Sequence, residues 1–148
     1  NDLNENKIVL LKKLSLKKEI LGIYKNIIKS YIKKDSNNCL ITSCSISKSE
    51  TVRNELETYT NLISKKIKLS WSTFCQFGEE ERVLKEIDKK LSKKSLNLIL
   101  HPIYFFDGFL YNNVCSRFKE IRKIKILKPL SYNGEILKIV YERLLGVN

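Results

Sequence analysis

The segment LNLILHPIYFFDGFLYNNVCSRF, residues 96–118, passes from one structural pattern to another. Leu96–Leu100 is a short apolar run, which is typical of a buried strand. Pro102 cannot donate a hydrogen bond to a neighbouring strand, and Asp107-Gly108 favours a sharp turn, so the strand is predicted to end there. A helix is predicted from Gly108 to about Arg122, with Phe109, Val114, Phe118 and Ile121 buried. One strand, one turn and one helix therefore follow one another in this segment.

Strand and helix alternate in the same way over the rest of residues 39–148. Further strands are predicted at Cys39–Thr42, Leu69–Phe74 and Ile124–Leu127. Strands separated by whole helices cannot pair as hairpins, and right-handed crossovers make them parallel, with helices on both faces of the sheet. The predicted fold is α/β, a doubly wound, four-stranded parallel sheet. The residues expected on the buried faces of the other helices are Val52, Leu56, Tyr59, Ile63, Val83, Leu84, Ile87, Leu91, Ile136, Val140 and Leu144.

Several residues mark the predicted helix ends. Ser47 and Glu50 have the spacing of a capping box. Glu79–Glu81 place negative charge in the first turn of the next helix, where the helix dipole favours it. Asn133 is expected to cap the last helix and Gly146 to end it.

Residues 1–38 are predicted to form an N-terminal extension or linker. Between Lys7 and Lys34, apolar residues recur at helical spacing with lysines between them, which indicates one or two amphipathic helices. Such helices can lie on a membrane or dock on a protein core. Because the sequence lacks an initiating Met, it is expected to be a piece of a longer protein. The apolar positions are Ile8, Leu11, Leu14, Ile20, Ile23, Ile27 and Tyr31.

The chain is strongly basic. It carries 28 Lys and Arg against 16 Asp and Glu, so its formal net charge is +12. This charge favours an anionic partner, which could be a nucleic acid, an acidic membrane face or a polycarboxylate ligand. A compositional bias of the source genome would give the same charge without any such partner.

The four cysteines are irregularly spaced and form no Cys-x-x-Cys pair. This spacing argues against a zinc ribbon or a thioredoxin-type redox motif. No apolar run reaches the roughly 20 residues that a membrane span needs. The sequence therefore predicts a soluble, cytoplasmic protein with reduced thiols and no membrane span. The cysteines are Cys39, Cys44, Cys75 and Cys115.

Ligands of a doubly wound sheet bind outside the carboxyl ends of its strands, where the strand order reverses. The loops that leave those ends are predicted at Ser43–Ser49, Cys75–Glu79, His101–Asn113 and Pro129–Asn133. A site formed by this chain is therefore expected among these four loops.

Four stretches of the chain resemble the class II chelatases of the sirohydrochlorin cobaltochelatase and ferrochelatase family. HPIYFFDGFLYNNV is similar to the stretch of that family in which a proline, an aromatic run and a glycine precede the third helix. KPLSYNGEILKIVYERLLG resembles its closing segment, CLITSCSISKSETVRNELE its first strand and the loop after it, and LSWSTFCQFGEEERVLKEIDK its second strand and next helix. The resemblance extends from about Cys39 to the end, and it rests on the order and spacing of these stretches.

The resemblance implies insertion of cobalt or iron into sirohydrochlorin, an acidic tetrapyrrole on the routes to cobalamin and sirohaem. Two histidines of the family bind the incoming metal and help to remove the pyrrole protons. Their positions fall here at Ser43 or Cys44 and at Leu110, and Gln76 stands where many members have Glu. Ser and Leu are poor substitutes for imidazole as ligands or bases. In tandem members, the second half has a glycine, an apolar residue and a leucine at this turn, as at residues 108–110 of this chain.

The chain is accordingly expected to be the non-catalytic half of a chelatase, weak or inactive alone, which pairs with a second chelatase domain in the same chain or in a homodimer. Its candidate metal ligands for Co²⁺ or Fe²⁺ are His101 and Cys44, although His101 could instead be satisfied by a backbone carbonyl beside the core and Cys44 could serve only loop geometry. Arg53 and Arg117 are further cations near the loops, and each cation could be simply solvated. The candidate ligand-binding residues are Ser43, Ser45, Lys48, Tyr104, Asp107, Gly108 and Lys128.

Two rival interpretations remain open. The first is a basic α/β module that binds nucleic acid. It is weakened because the lysines are spread over every helix and no motif interleaves aromatic with basic residues. The second is a structural domain that has kept the fold and lost ligand binding.

Overall fold

Four strands pair into one parallel sheet in the computed structural model, which describes residues 17–91, 95–121 and 124–146. The strand order is β2-β1-β3-β4, and every pair is parallel. The predicted doubly wound α/β fold is confirmed. The elements are α1 (Lys17–Lys29), β1 (Asn37–Cys44), α2 (Glu50–Ile67), β2 (Trp71–Gln76), α3 (Glu80–Leu91), β3 (Leu96–Pro102), α4 (Phe109–Lys119), β4 (Ile124–Ile126) and α5 (Gly134–Leu144), with a 3-10 turn at Leu130–Tyr132.

The sheet separates two apolar cores. We call the side covered by α1, α2 and α5 the first face, and the side covered by α3 and α4 the second face. Side chains of a strand alternate between faces, and in β1 Leu40 lies in the first core while Cys39 and Ile41 lie in the second. The two central strands are apolar on both sides because both of their faces are covered.

The described part of the N-terminal extension belongs to this fold. α1 buries Ile20, Tyr24 and Ile28 in the first core, together with Leu40 of β1. β1 begins at Asn37, ahead of the expected domain boundary at residue 39. The extension therefore completes the cover of the sheet. The predicted helical positions Ile8, Leu11 and Leu14, the predicted burial of the Leu91 side chain and the predicted helix end at Arg122 lie outside the described residues.

Three local predictions are wrong. Phe109 is 77% exposed and Leu144 is 64% exposed. Phe109 opens α4 five residues before the buried Val114, which turns it about 140° away at 100° per residue, and Leu144 lies in the last turn of α5. The expected capping box is also absent, because α2 begins after Ser49, whose side chain makes no capping bond, and the Ser47 hydroxyl accepts the Ser49 N–H instead.

No helix in the described ranges 17–91, 95–121 and 124–146 combines the length and apolar character needed to cross a bilayer.

Candidate functional site

The four loops at the carboxyl ends of the strands form the edge that we call the rim, residues 43–49, 75–79, 101–113 and 129–133. Backbone hydrogen bonds tie these loops together. The Ile103 N–H donates to the Ser43 carbonyl at 2.6 Å, and the Leu130 N–H donates to the Tyr104 carbonyl at 2.9 Å. The loops after β1, β3 and β4 are therefore fixed relative to one another, which a preorganised binding site requires.

A polar cluster lies under the rim, formed by Ser43, Cys75, Glu80 and Tyr104, all of which are buried. Ser43 and Cys75 are register partners at the ends of β1 and β2. Burial raises the pKa of the Cys75 thiol to about 12, and the Ser43 hydroxyl opposes that shift. Burial also raises the pKa of the Tyr104 hydroxyl, and the Ser43 hydroxyl again opposes the shift. The cluster is therefore protonated and electrically neutral at its thiol and phenol near pH 7.

In this cluster and the neighbouring Gln76, four buried polar atoms have no hydrogen-bond partner among the described residues. Leaving such a group unsatisfied costs about 1–3 kcal/mol. Buried polar atoms that protein groups do not satisfy are suited to bind a ligand or water. The atoms are Ser43 Oγ, Gln76 Nε2, Glu80 Oε1 and Tyr104 OH.

Cys44 is half-buried at the end of β1. Burial raises the pKa of its thiol to about 12, with Cys75 and Glu79 adding to the shift and Arg53 opposing it. The thiol donates to the Ser45 carbonyl at 3.4 Å. A thiolate is the metal ligand and the nucleophile, so the raised pKa favours the protonated, less reactive form of Cys44 at neutral pH. All four cysteines of the chain are unpaired thiols.

His101 lies inside the first core, although the sequence predicted that it reaches the rim. Its Nε2 is 2.8 Å from the Tyr59 hydroxyl, and its ring stacks on Tyr24 with 4.2 Å between centroids. Burial lowers its pKa to about 3, so the imidazole is neutral at physiological pH. The alternation of β3 explains the position, because His101 shares the first face with Ile99. Its Nδ1 has no partner among the described residues.

Metal ligands do not gather in the part of the chain that the structure describes. No three His, Cys, Asp or Glu side chains in these ranges are arranged to hold a metal ion. The metal-binding roles of His101 and Cys44 stay predictions. Leu110, at the second histidine position, is an apolar residue packed partly into the second core.

The predicted cations differ in how they are placed. Arg53 contacts Glu79 at 2.6 Å, and Arg117 contacts Glu81 at 3.7 Å, so both have acidic partners. Lys48 is exposed on the loop after β1. A hydrogen bond also fixes the loop after β2, because the Glu79 carboxylate accepts the Gln76 N–H at 2.9 Å.

The other predicted ligand-binding residues lie around the rim. Ser45 is buried and Gly108 is half-buried, while Asp107 and Lys128 are exposed. Asp107 accepts a hydrogen bond of 2.9 Å from the Tyr132 hydroxyl, and Lys128 Nζ lies 5.8 Å from the centre of the Tyr132 ring. Tyr132 thus connects the loops after β3 and β4.

Sequence reasoning missed the apolar character of the rim surface. Large apolar side chains stand exposed on three of its loops, although Phe109 had been predicted to be buried. The signal was present in the sequence, because loops of a soluble domain are usually polar and these carry aromatic residues. The exposed fractions are Ile46 62%, Phe106 53%, Phe109 77% and Tyr132 58%.

The rim thus combines unsatisfied buried polar atoms, exposed aromatic rings and cations on loops held by backbone hydrogen bonds. Comparison with known proteins adds no assignment to this geometry. No protein-family model matches the chain, and no curated protein and no solved structure gives a significant match.

Proposed function

We propose that this chain is a cytoplasmic chelatase-like domain that binds an acidic tetrapyrrole of the sirohydrochlorin class at its rim. The observation that carries the proposal is the set of exposed apolar side chains on the rim loops, Ile46, Phe106, Phe109 and Tyr132. Single exposed apolar residues are ordinary on a protein surface. Several at the carboxyl edge of one parallel sheet, where ligands of such folds bind, support a contact surface.

A flat macrocycle suits these side chains. Aromatic rings stack on flat π systems with an energy beyond that of simple burial. Covering about 100 Å² of apolar surface contributes about 2.5 kcal/mol. Phe109, with 77% of its surface exposed, is therefore the side chain with most to gain from a bound macrocycle.

The cations complement the ligand's carboxylates. Lys48 is exposed on one rim loop and Lys128 is exposed next to another, at residue 129, so they could contact carboxylates on different sides of a macrocycle. One exposed ion pair contributes little, but the net charge of +12 also raises the rate at which a polyanion reaches the surface. The buried hydroxyls of Ser43 and Tyr104 offer further hydrogen bonds below the ring.

At the positions where the resembled family has histidines, the described residues of this chain offer no imidazole to remove pyrrole protons. Ser43, Cys44 and Leu110 occupy the positions where the resembled family has histidines, and the Cys44 thiol is protonated at neutral pH. The ligands for Co²⁺ or Fe²⁺ would come from a second chelatase domain, in the same chain or in a second copy. We expect the chain alone to insert metal far more slowly than a histidine-bearing domain.

An absorbance titration with sirohydrochlorin tests the proposal. We expect a spectral change at micromolar ligand and a Kd at least about tenfold higher for Phe109→Ala, which corresponds to about 1.4 kcal/mol. Leu144→Ala is the matched control. Leu144 is likewise an exposed apolar residue, with 64% of its surface accessible, but it lies at the end of α5 that is away from the rim. An unchanged spectrum at about 100 µM ligand would contradict the proposal.

Retention on a generic oligonucleotide distinguishes the nucleic-acid alternative. Binding to nucleic acid releases counterions, so its affinity falls steeply with salt concentration. Strong, salt-sensitive retention together with no response to sirohydrochlorin would replace the tetrapyrrole proposal with that alternative.

A further inference from the structure

A groove of about 300 Å³ opens on the first face at the edge of the sheet, between α1 and residues 125–133. This volume is at the lower end of the range for small-molecule sites. Its walls are aromatic and basic rather than purely apolar. The residues that matter to its chemistry are Tyr24, Tyr31, Lys125, Lys128, Tyr132 and Asn133.

Each of the two lysines of the groove lies over a tyrosine ring. Lys125 Nζ is 4.6 Å from the centre of the Tyr31 ring, and Lys128 Nζ is 5.8 Å from that of Tyr132. A cation held over an aromatic face is attracted by the ring's quadrupole. These contacts keep both ammonium groups beside the groove. The acidic side chain joined to this set is Asp107, through its hydrogen bond with Tyr132.

Tyr24 supplies an unused hydrogen-bond donor. It is only 3% exposed, and its ring is fixed by stacking on His101. Burial raises the pKa of its hydroxyl to about 12, so the group stays protonated. We find no hydrogen bond from this hydroxyl within residues 17–91, 95–121 and 124–146. Tyr24 lines the groove, so a ligand bound there can accept a hydrogen bond from its hydroxyl.

We propose that this groove binds a small molecule composed of a flat aromatic ring and a carboxylate or phosphate group. The ring lies against the tyrosines, the anionic group lies beside Lys125 and Lys128, and the Tyr24 hydroxyl donates to the ligand. The groove shares Lys128 and Tyr132 with the rim proposal, and it goes beyond that proposal because its other polar groups, on Tyr24, Tyr31 and Lys125, lie beside α1 at the β4 edge. Its ligand is also smaller than a tetrapyrrole.

Amide NMR of the full chain tests the site with 2-naphthoate, 2-naphthyl phosphate and uncharged 2-naphthamide as probes. We expect at least one of the two anionic probes to change the backbone amide chemical shifts of residues 24–31 and 125–133. That probe should bind at least about fivefold more tightly than 2-naphthamide. The tighter anion shows whether the site prefers a carboxylate or a phosphate.

Two variants examine the groups that hold the anion. Lys125→Gln and Tyr24→Phe should each weaken binding of the preferred anion at least about fivefold. Lys138→Gln, which removes the same charge from an exposed position of α5, should leave it unchanged. Tyr24→Phe keeps the ring that stacks on His101, so the variant is expected to fold.

Three outcomes would overturn the groove assignment. One is the absence of shifts at these amides at about 5 mM probe. Another is equal binding by Lys125→Gln, Tyr24→Phe and the Lys138→Gln control. The third is loss of binding of the anionic probe in the Phe109→Ala variant, because that substitution changes the rim and leaves the groove intact. Sirohydrochlorin binding is measured separately, so failure of either proposal leaves a distinct result.

Discussion

Thr42 and Thr60 form a buried hydroxyl pair between β1 and α2, with 2.5 Å between their oxygens. The Thr60 hydroxyl also donates to the Leu56 carbonyl at 2.7 Å. Since Thr60 uses its proton in that bond, Thr42 must donate to Thr60. The two positions are therefore unequal, although both carry the same residue.

Thr60→Val should destabilise the protein more than Thr42→Val. The first change leaves the buried Thr42 donor without an acceptor, which costs about 1–3 kcal/mol, whereas the second leaves the Thr60 bond to Leu56 in place and costs less than about 1 kcal/mol. Urea unfolding of both variants measures the difference. Equal or reversed losses would contradict the donor assignment.

His101 makes stability depend on pH. Its pKa is lowered from 6.5 to about 3 in the folded chain, so between these values the unfolded chain binds more protons than the folded one. The free energy of unfolding therefore falls as the pH decreases from 6.5 towards 3. Each unit of difference corresponds to about 1.4 kcal/mol, so the effect amounts to several kcal/mol.

Replacing His101 with Phe should remove this dependence. The comparison is best made between Tyr59→Phe and Tyr59→Phe/His101→Phe, because the Tyr59 hydroxyl then loses no partner in the second step. Urea unfolding from pH 7 to pH 4 should show a smaller loss of stability for the double variant. Parallel pH curves for the two variants would show that His101 is not buried as a neutral group.

At the scale of elements, α2 ends in an unusual way. Lys68 has φ 54° and ψ 53°, and its N–H donates to the Ser64 carbonyl. This left-handed conformation closes many helices, but glycine usually occupies it because a Cβ atom is disfavoured there. The lysine side chain is exposed, so the backbone conformation, rather than a side-chain contact, decides whether lysine or glycine is more stable at this position.

Lys68→Gly should therefore stabilise the protein by about 0.5–1 kcal/mol, because relief of the strain exceeds the added freedom of the unfolded chain. Lys68→Ala is the control. It keeps the Cβ atom and loses the same charge, so we expect little change. Thermal unfolding of the three proteins gives the result, and a gain in the alanine variant equal to that of glycine would assign the effect to charge.

The elements themselves were largely predictable from the sequence. Apolar runs and helical spacing located all four strands and the helices between them, because period and turn residues are local properties. Strand ends were less well placed, as β1 extends to Asn37–Cys44 and β2 shifts to Trp71–Gln76. Exposure at helix ends was not predictable, because it depends on where the sheet beneath stops, as Leu144 shows.

At the scale of the whole molecule, the stability of the domain is expected to depend on α1, which precedes the predicted domain boundary at residue 39. Removing residues 1–34 would expose the first core where Ile20, Tyr24 and Ile28 cover it. Loss of each large buried side chain costs about 2–5 kcal/mol. The sum is comparable with the total stability of a typical domain, about 5–15 kcal/mol.

A chain of residues 35–148 should accordingly fail to unfold cooperatively, and a peptide of residues 17–34 added in excess should restore the transition. Circular dichroism with urea follows both. Within the full chain, Ile28→Ala should be strongly destabilising and Lys29→Ala, at an exposed position, nearly neutral. A cooperative transition in the shortened chain alone would show that the sheet does not need α1.

The location of the candidate site was predictable at this scale, but its composition was not. Topology places the loops at one edge once the strands are known to be parallel. Whether a side chain near a strand end points to the rim or into a core depends on strand parity and on what covers each face. His101 shows this, because its burial depends on contacts with Tyr24 of α1 and Tyr59 of α2, which are distant in the sequence.

The unpaired thiols make it possible to time motions within the fold. Cys39, Cys75 and Cys115 are buried, and burial raises the pKa of each thiol. A disulfide reagent can then react with one of them only during a transient opening of the structure around it. Comparing the reaction rate of Cys75 in β2 with that of Cys115 in α4 would show whether the two ends of the second face open together or separately.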